Sequence, residues 1–267
     1  MIQLNDVSVR YGSFQALHPT SLSFQEGQFT VLLGASGAGK STLLRCLNLM
    51  TEPHGGNIHV SGLGSLDNSQ ALRAHRRRTG MIFQQHQLIA RLSAFQNVLM
   101  GRLGYHSAWR SLLPLPKDEQ AIGLHSLERV GLLDKALSRV DQLSGGQQQR
   151  VGIARALTQQ PRLILADEPV ASLDPATADK VIAMLHQICK EDGISAVVSL
   201  HQVDLAKRYA DRIVGLAHGK VVFDAPPEEL TAEQAQALYA HRQPSVGQAP
   251  RPSHSSLFPL NFATVEE

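Results

Sequence analysis

The sequence predicts an α/β protein built around a mostly parallel sheet, and two kinds of pattern support this fold class. Continuous apolar runs stand at "LILA" and "ISAVVSL", bounded by charged and turn residues. Such runs are typical of strands that helices cover on both faces of a parallel sheet. Between these runs, Val181, Met184, Leu185 and Ile188 repeat at helical spacing. The 267 residues, 43% of them hydrophobic, are enough for one large domain or for a core with one inserted lobe.

The first elements along the chain are strands. Residues 1–33 contain three candidates, from Ile2 to Val9, around Leu22 to Phe24 and at "FTVLLG", with turns at "YGS" and "EGQ" between them. A helix is predicted from Lys40 onward. Residues 57–83 then predict a short strand at "NIHV", a polar helix through "SQALRAHRRR" and a strand at "GMIF".

The character of the chain changes from about residue 86 to residue 155, where helices with polar connections are predicted and "GYHSAWRSLLPLPKDE" is expected to be a structured loop. After "LILA", Asp174 and Pro175 predict a helix start, because Asp caps helices and proline is favoured at the first position. Residues 211–224 predict two short strands joined at "HGK". Residues 241–267 are rich in Pro, Ser and Gln, and we expect them to be poorly ordered.

The overall charge and the N-terminus suggest a location and exclude some partners. Lys and Arg total 25 against 23 Asp and Glu, a formal net charge of +2, so nothing demands a nucleic-acid partner and we expect none. The start "MIQLNDVSVRYG" alternates like a strand and does not resemble a signal peptide. Apolar runs fall short of the roughly 18 residues of a membrane-spanning helix. We therefore expect a cytosolic chain whose membrane role, if it has one, comes through a partner.

The segment "GASGAGKST" fits the phosphate-binding pattern G-x-x-x-x-G-K-[ST], and it stands between an apolar strand and a helix, as that pattern requires. Glycines let backbone N–H groups curl around phosphates, the lysine reaches the β- and γ-phosphates, and the serine offers a hydroxyl to Mg²⁺. A chance glycine turn is the alternative, but the flanking elements argue against it. The predicted nucleotide-binding residues are Gly34, Ala35, Ser36, Gly37, Ala38, Gly39, Lys40, Ser41 and Thr42.

A second segment, "LILADEPVASLD", ends an apolar strand in two adjacent carboxylates, Asp167 and Glu168. Burying two charges side by side is expensive unless a cation or a substrate compensates them. The first carboxylate suits a Mg²⁺ ligand, and the second suits a general base that takes a proton from an attacking water. A solvated strand end is the alternative; the apolar run before it argues against this.

Two further polar residues follow predicted strands. His201 comes after "ISAVVSL", and Gln84 comes after "GMIF". A lone His or Gln is usually structural, but ligands of open α/β sheets bind at the carboxyl ends of the strands. His201 could therefore donate to a γ-phosphate, and the Gln84 amide could hold water or Mg²⁺.

The octapeptide "LSGGQQQR" places Ser144, Gly145, Gly146 and Gln147 directly before a run with helical pattern. A helix N-terminus attracts phosphate through its N–H groups and its dipole. This is a second phosphate-binding layout in a chain that already has one, and it contains no lysine.

Taken in this order and spacing, the segment 34–42, Gln84, "LSGGQQQR", "ADEP", "SLD" and His201 resemble the nucleotide-binding subunits of ABC transporters over residues 1 to about 240. The resemblance implies a P-loop NTPase core with an N-terminal antiparallel β subdomain and an inserted α-helical subdomain. The core would comprise residues 1–85 and 156–240, and the helical subdomain residues 86–155.

The resemblance also implies roles for single residues. Tyr11 would stack on adenine, Asp167 would bind Mg²⁺ with Ser41 and Gln84, Glu168 would be the catalytic base, and His201 would sense the γ-phosphate. Residues 172–174 would cross to a second protomer. Residues 144–147 would bind the γ-phosphate of an ATP held by the partner's segment 34–42, so the active form would be a homodimer.

Several stretches resemble the ATPase subunits of phosphonate importers, among them "ASLDPATADKVIAMLHQI" and the insert from Tyr105 to Leu115 with Trp109. This implies ATP-driven import of phosphonates or phosphite through separate integral membrane permease subunits, served by a periplasmic or surface substrate-binding protein. The chain would then sit on the cytoplasmic face of the inner membrane. Importers of polar amino acids remain an alternative, since they carry a similar ATPase.

Two other interpretations are weaker. ABC-type ATPases of DNA repair and chromosome organisation carry long coiled coils between the phosphate-binding segment and the segment that corresponds to "LSGGQQQR", and this interval of the chain has no sustained heptads. The basic run from Arg73 to Arg78 is expected to be a solvated helix face, with contact to a membrane partner or to acidic lipid as the lesser alternative.

Overall fold

The computed structural model describes residues 1–85, 87–107 and 114–239, and in this part of the chain the strands form two sheets. The strands are β1 (Ile2–Tyr11), β2 (Phe14–Phe24), β3 (Phe29–Leu33), β4 (Gly55–Val60), β5 (Gly64–Ser65), β6 (Thr79–Ile82), β7 (Leu163–Asp167), β8 (Ser195–Ser199), β9 (Arg212–Ala217) and β10 (Lys220–Ala225). One sheet has four antiparallel strands in the order β2-β1-β4-β5. The other has six strands in the order β10-β9-β3-β8-β7-β6.

The helices cover the larger sheet and fill the space between the two sheets. They are α1 (Lys40–Leu47), α2 (Ser69–Arg77), α3 (Ala94–Leu99), α4 (Lys117–Arg129), α5 (Gly145–Leu157), α6 (Pro175–Glu191), α7 (Val203–Tyr209) and α8 (Ala232–Tyr239). In the described residues, no helix is both long enough and apolar enough to cross a membrane.

The six-stranded sheet confirms the predicted mostly parallel α/β fold. Strands β6, β7, β8, β3 and β9 pair in parallel, and only β10 runs antiparallel, against β9. Every residue of β3 and β7 is buried, as expected for strands with helices on both faces. Parallel order brings the carboxyl ends of β3, β7 and β8 to one edge, where "GASGAGKST", the two carboxylates and His201 follow.

The four-stranded sheet confirms the predicted N-terminal antiparallel unit, but its second strand is longer than the sequence indicated. Strand β2 begins at Phe14 rather than near Leu22. The dipeptide His18–Pro19 argues against a strand, because proline has no N–H for a ladder. Strand β2 lies at the edge of the sheet, where that loss is tolerated.

Helix α1 is packed between the two sheets. Leu43, Leu44, Cys46 and Leu47 are fully buried and join a core cluster that also contains residues of β1, β4 and the larger sheet. The apolar face does not continue beyond the helix, since Met50 is half exposed. The helix that holds the end of the phosphate-binding segment is therefore fixed on two sides.

The region between β6 and β7 is helical, as predicted, and α3, α4 and α5 pack against one another. The described part of the expected structured loop is well anchored. The Tyr105 hydroxyl donates to the carbonyls of Arg77 at 3.0 Å and Gln159 at 2.7 Å, and the Arg102 guanidinium lies 4.1 Å from the Tyr105 ring centre. Trp109 lies outside the described residues.

The C-terminal part contains the predicted pair of strands. Strands β9 and β10 join at His218 and Gly219, which have φ values of 51° and 72°. Two successive positive φ values are typical of a hairpin turn of type I′. Helix α8 follows and packs against β9. The segment 241–267, expected to be poorly ordered, lies outside the described residues.

Candidate nucleotide-binding site

The phosphate-binding segment 34–42, called the P-loop from here on, is held close to the backbone of other elements. Gly34 has φ 146°, and a Cβ added there would lie 2.2 Å from the Leu216 carbonyl oxygen. A Cβ at Gly39, where φ is 105°, would lie 2.9 Å from the Ala16 carbonyl oxygen. Only glycine fits at these two positions. The P-loop backbone is therefore packed directly against β9 at Gly34 and against β2 at Gly39, which fixes the curve of the segment.

The end of the P-loop is also the N-terminus of α1. Gly39 caps the helix, no side chain accepts from its first N–H groups, and no acidic residue lies in its first turn. Within the helix itself, therefore, no residue of the first turn compensates the positive end of the dipole, which suits an anion.

Lys40 is buried, with 3% of its side chain exposed. Its Nζ donates to the carbonyl oxygens of Gly34 at 2.8 Å and Ala35 at 3.2 Å. Burial lowers the pKa of Lys40, and the nearby Glu168 and Asp167 carboxylates oppose that effect. The ammonium is held inside the curve of the P-loop, as the motif predicts.

Asp167 ends β7 in a network of hydroxyl groups. Its Oδ1 accepts from Ser41 Oγ at 2.8 Å and from Ser199 Oγ at 3.0 Å, and the Asp167 side chain is buried. Ser199 also accepts from the backbone N–H of Glu168 at 2.8 Å. The first carboxylate is therefore joined to the start of α1 and to β8 at once.

Ser199 was not singled out in the sequence, although it touches both carboxylate residues. It is a fully buried hydroxyl in a strand that otherwise reads as apolar. A buried polar side chain needs a partner, so a lone serine inside "AVVSL" was the signal that could have identified it.

Glu168 adopts a backbone conformation that is uncommon for a non-glycine residue, with φ 49°. Its Oε1 lies 2.6 Å from His201 Nε2 and 3.8 Å from Lys40 Nζ. The structure thus brings two residues that are far apart in sequence, His201 and Lys40, to one oxygen of the Glu168 carboxylate. The backbone turn at Glu168 aims its side chain at the P-loop lysine.

Two predicted residues lie apart from this cluster. Gln84 is exposed, two residues after β6, and in the described chain it makes no hydrogen bond to Asp167 or Ser41. Tyr11 ends β1 with 51% of its surface exposed, and its hydroxyl lies 3.5 Å from Thr51 Oγ1. The side chain of Tyr11 is accessible for stacking, but the structure does not bring it into contact with the P-loop.

Residues 144–147, called the signature segment from here on, begin α5 with a capping box. Ser144 Oγ accepts from the Gln147 N–H at 3.3 Å, and Gln147 Oε1 accepts from the Ser144 N–H at 2.8 Å. The Ser144 hydroxyl keeps its own proton for another acceptor, since a hydroxyl both donates and accepts.

The signature segment lines an open cavity of about 590 Å³ together with residues 172–174 and Thr177. The N-termini of two helices, α5 and α6, border this cavity, and Asp174 caps α6 by accepting from the Thr177 N–H at 3.0 Å. The described lining includes no residue of the P-loop. Within one chain, the P-loop and the signature segment are therefore separate phosphate-binding segments.

The glycine cradle, the buried lysine and the strand-end carboxylate pair define a P-loop nucleotide-binding protein. The family model described as ABC transporter matches residues 17–171. The chain belongs to the ABC transporter family, and it is an ATPase of that family.

Individual relatives agree with this membership. The chain is 62% identical over 244 residues to Phosphonates import ATP-binding protein PhnC 3 of Nostoc sp., with 91% of this chain and 93% of the relative covered. It is 62% identical over 243 residues to Phosphite import ATP-binding protein PxtA of Stutzerimonas stutzeri, covering 91% and 88%.

A solved structure is similar to this fold as well. It is a dimeric post-hydrolysis state of the ATP-binding cassette MJ0796 bound to ADP and Pi, with a TM-score of 0.74 and 33% identity. The match covers 85% of this chain and 99% of that one.

Proposed function

We propose that this ATPase uses Glu168 as the general base that takes a proton from the water attacking the γ-phosphate of ATP. The observation that carries the proposal is the meeting of His201 Nε2 and Lys40 Nζ at Glu168 Oε1, at 2.6 Å and 3.8 Å. In the proposed reaction Lys40 binds the phosphates. His201 donates to the γ-phosphate and keeps the Glu168 carboxylate beside it.

Replacing Glu168 with Gln tests the base. Glu168→Gln keeps the shape and the polar contacts but removes the basic oxygen, so kcat should fall by about 10²- to 10⁴-fold while ATP still binds. The measurement is steady-state hydrolysis together with equilibrium binding of ATP. Glu228→Gln, at an exposed position outside the site, is the matched control. Hydrolysis by Glu168→Gln at the rate of the parent would show that another group is the base.

The remaining ATP contacts are proposed for the P-loop and for Tyr11. The backbone and side chains of residues 34–42 would bind the phosphates, which the glycine geometry and the uncapped start of α1 support. Tyr11 would stack on adenine, which its exposure allows.

The Mg²⁺ that accompanies ATP is proposed to bind at Ser41, Asp167 and Gln84. Ser41 Oγ and Asp167 Oδ1 are 2.8 Å apart, and two neighbouring oxygen donors at the phosphate cradle suit a hard cation. The ion would neutralise charge on the phosphate oxygens. Gln84, exposed one strand away at the same sheet edge, is the ligand with the least support from the geometry.

We propose that the active form is a homodimer in which the signature segment of one protomer binds the γ-phosphate held by the P-loop of the other. The separation of the two layouts within one chain supports this arrangement. The dimeric structure of the similar cassette supports it independently. The signature segment supplies helix N–H groups and the Ser144 hydroxyl, while Lys40 of the partner supplies the positive charge.

The transport function proposed for the dimer is import of phosphonates or phosphite. Relatives at 58–62% identity are named for phosphonate or phosphite import, which favours this class over polar amino acids. The ATPase would sit on the cytoplasmic face of the inner membrane, bound to integral permease subunits that a substrate-binding protein serves. The proposed division into core (1–85, 156–240) and helical subdomain (86–155) is supported by the mutual packing of α3, α4 and α5.

An uptake assay tests the substrate. The chain is combined with its cognate permease and binding protein in vesicles, and ATP-dependent uptake of a phosphonate, phosphite and a polar amino acid is compared. Phosphonate or phosphite uptake that disappears with Glu168→Gln is expected. Uptake of the amino acid alone would contradict the proposal.

A further inference from the structure

Helix α8 reaches the nucleotide-binding site from the C-terminal side of the described chain. Its last residue, Tyr239, donates its hydroxyl to the carbonyl oxygen of His201 at 3.0 Å, across 38 residues of sequence. His201 is the residue whose Nε2 lies 2.6 Å from Glu168. Tyr239 thus holds the backbone of a site residue without touching the site's reacting groups.

The same hydroxyl also lies near the start of the P-loop. Burial raises the pKa of Tyr239, and a hydrogen bond with the backbone of Gly34 opposes that effect in part. Gly34 is the glycine that fits tightly against Leu216. The Tyr239 side chain of α8 is therefore bonded to the loop that carries His201 and lies near the start of the P-loop.

The position of this hydroxyl is determined by packing rather than by a flexible arm. Leu238, the neighbour of Tyr239, is buried, and a Cβ at Gly215 of β9 would lie 2.8 Å from its Cδ2. At the other end of α8, Thr231 and Gln234 form reciprocal bonds of 3.2 Å and 3.0 Å that fix the helix start. The Tyr239 ring itself packs against the larger core cluster.

We propose that Tyr239 is a positioning residue for ATP hydrolysis. It acts by holding the backbone of His201 so that the His201 side chain stays beside Glu168 and the P-loop. The inference rests on the proposed role of His201. It assigns to α8 a part in the ATPase site that none of the family's sequence motifs contains, because α8 lies outside residues 17–171 and after His201.

Removal of the hydroxyl alone tests the proposal. In Tyr239→Phe the ring and its packing stay, so kcat for ATP should fall about 3- to 10-fold, the loss of one hydrogen bond, while KM for ATP changes less than about twofold. The control is Tyr105→Phe, since the Tyr105 hydroxyl likewise lies within hydrogen-bond distance of backbone carbonyls but in another part of the fold. The control should lose stability without losing kcat.

A double mutant decides whether Tyr239 acts through His201. His201→Ala is measured with and without Tyr239→Phe, and the second change should have no further effect on kcat once the imidazole is gone. The proposal is overturned by an unchanged kcat in Tyr239→Phe, by a raised KM with unchanged kcat, or by an undiminished effect in the His201→Ala background. Parent-like hydrolysis by His201→Ala would instead remove the proposed role of His201.

Discussion

The glycines of this chain differ in what an added side chain would contact. At some positions a side chain would only strain the backbone, and at others it would also overlap with neighbouring atoms. Gly62 has φ 78° and no atom within 4 Å of an added Cβ. Gly34 has φ 146°, and an added Cβ would lie 2.2 Å from a backbone oxygen of β9. A side chain at Gly62 only strains the backbone, whereas at Gly34 either the P-loop or β9 must move.

Gly34→Ala should therefore be much the more damaging of two matched changes. Gly62→Ala is expected to cost about 1–2 kcal/mol of unfolding free energy, the price of a left-handed alanine. Gly34→Ala should cost at least about 2–4 kcal/mol, because backbone overlap adds to strain, and should weaken ATP binding. Denaturant unfolding and an ATP titration measure both effects. Equal losses in the two variants would mean that the P-loop is not packed as the structure has it.

Residue types in short motifs were predictable at this scale, and contacts between distant segments were not. Lys40, Asp167 and Glu168 each stand in a pattern whose chemistry can be read directly. Ser199 and Tyr239 belong to no pattern, since their partners lie 31 to 38 residues away and are met only after the sheet and α8 have formed. Their polar groups acquire partners through tertiary packing.

At the scale of elements, α2 caps the end of α1. His75 Nε2 lies 2.8 Å from the Leu47 carbonyl, and Arg76 donates to the carbonyls of Asn48 at 3.2 Å and Leu49 at 2.7 Å. These carbonyls belong to or follow the last turn of α1, where partners from within the helix are lacking. The basic run that the sequence presents as a solvated face is in part a cap for its neighbour. Periodicity within α2 could not predict this, because the cap joins two helices.

The buried cap gives stability a pH dependence with a definite sign. Burial lowers the pKa of His75 from 6.5, so the folded state binds its proton more weakly than the unfolded chain does. The contribution of neutral His75 to stability is therefore fully present above the pKa of this residue in the unfolded chain. It decreases as the pH falls from about 6.5 toward the lower pKa of His75 in the folded state. His75→Gln keeps a donor for Leu47 but does not titrate.

Unfolding free energies at about pH 7.5 and about pH 5 measure the effect. The parent protein should lose more stability over this interval than His75→Gln does. Equal losses would show that His75 does not take up its proton differently in the two states.

At the scale of the whole molecule, the fold places the P-loop and the signature segment on different elements, and the cavity lined by the signature segment includes no P-loop residue among the described ones. The P-loop joins β3 to α1, whereas the signature segment starts α5 beside α6. If each chain contained a complete site of its own, mixing two inactive variants would not restore ATP hydrolysis. If each segment is half of a site, two defective chains can form one intact pair.

A substitution in the signature segment also removes a helix cap, so a matched change is needed. Ser93 caps α3 with the same capping box, in which its Oγ accepts from the Gln96 N–H at 3.1 Å. Ser93→Arg and Ser144→Arg should therefore cost similar stability, about 0.5–2 kcal/mol. Only Ser144→Arg should abolish ATP hydrolysis, since Ser93 lies outside the cavity of the signature segment.

Mixing Lys40→Ala with Ser144→Arg tests sharing between chains. Lys40→Ala removes the phosphate-binding charge, and Ser144→Arg fills the signature segment, so each homodimer should be inactive. In the mixed dimer one composite site carries both lesions, and the other combines an intact P-loop with an intact signature segment. Hydrolysis should return above the level of either variant alone, whereas mixing Lys40→Ala with Ser93→Arg should add nothing beyond the activity that Ser93→Arg already has. Absence of recovery, with mixed dimers shown to form, would mean that each chain hydrolyses ATP with its own residues.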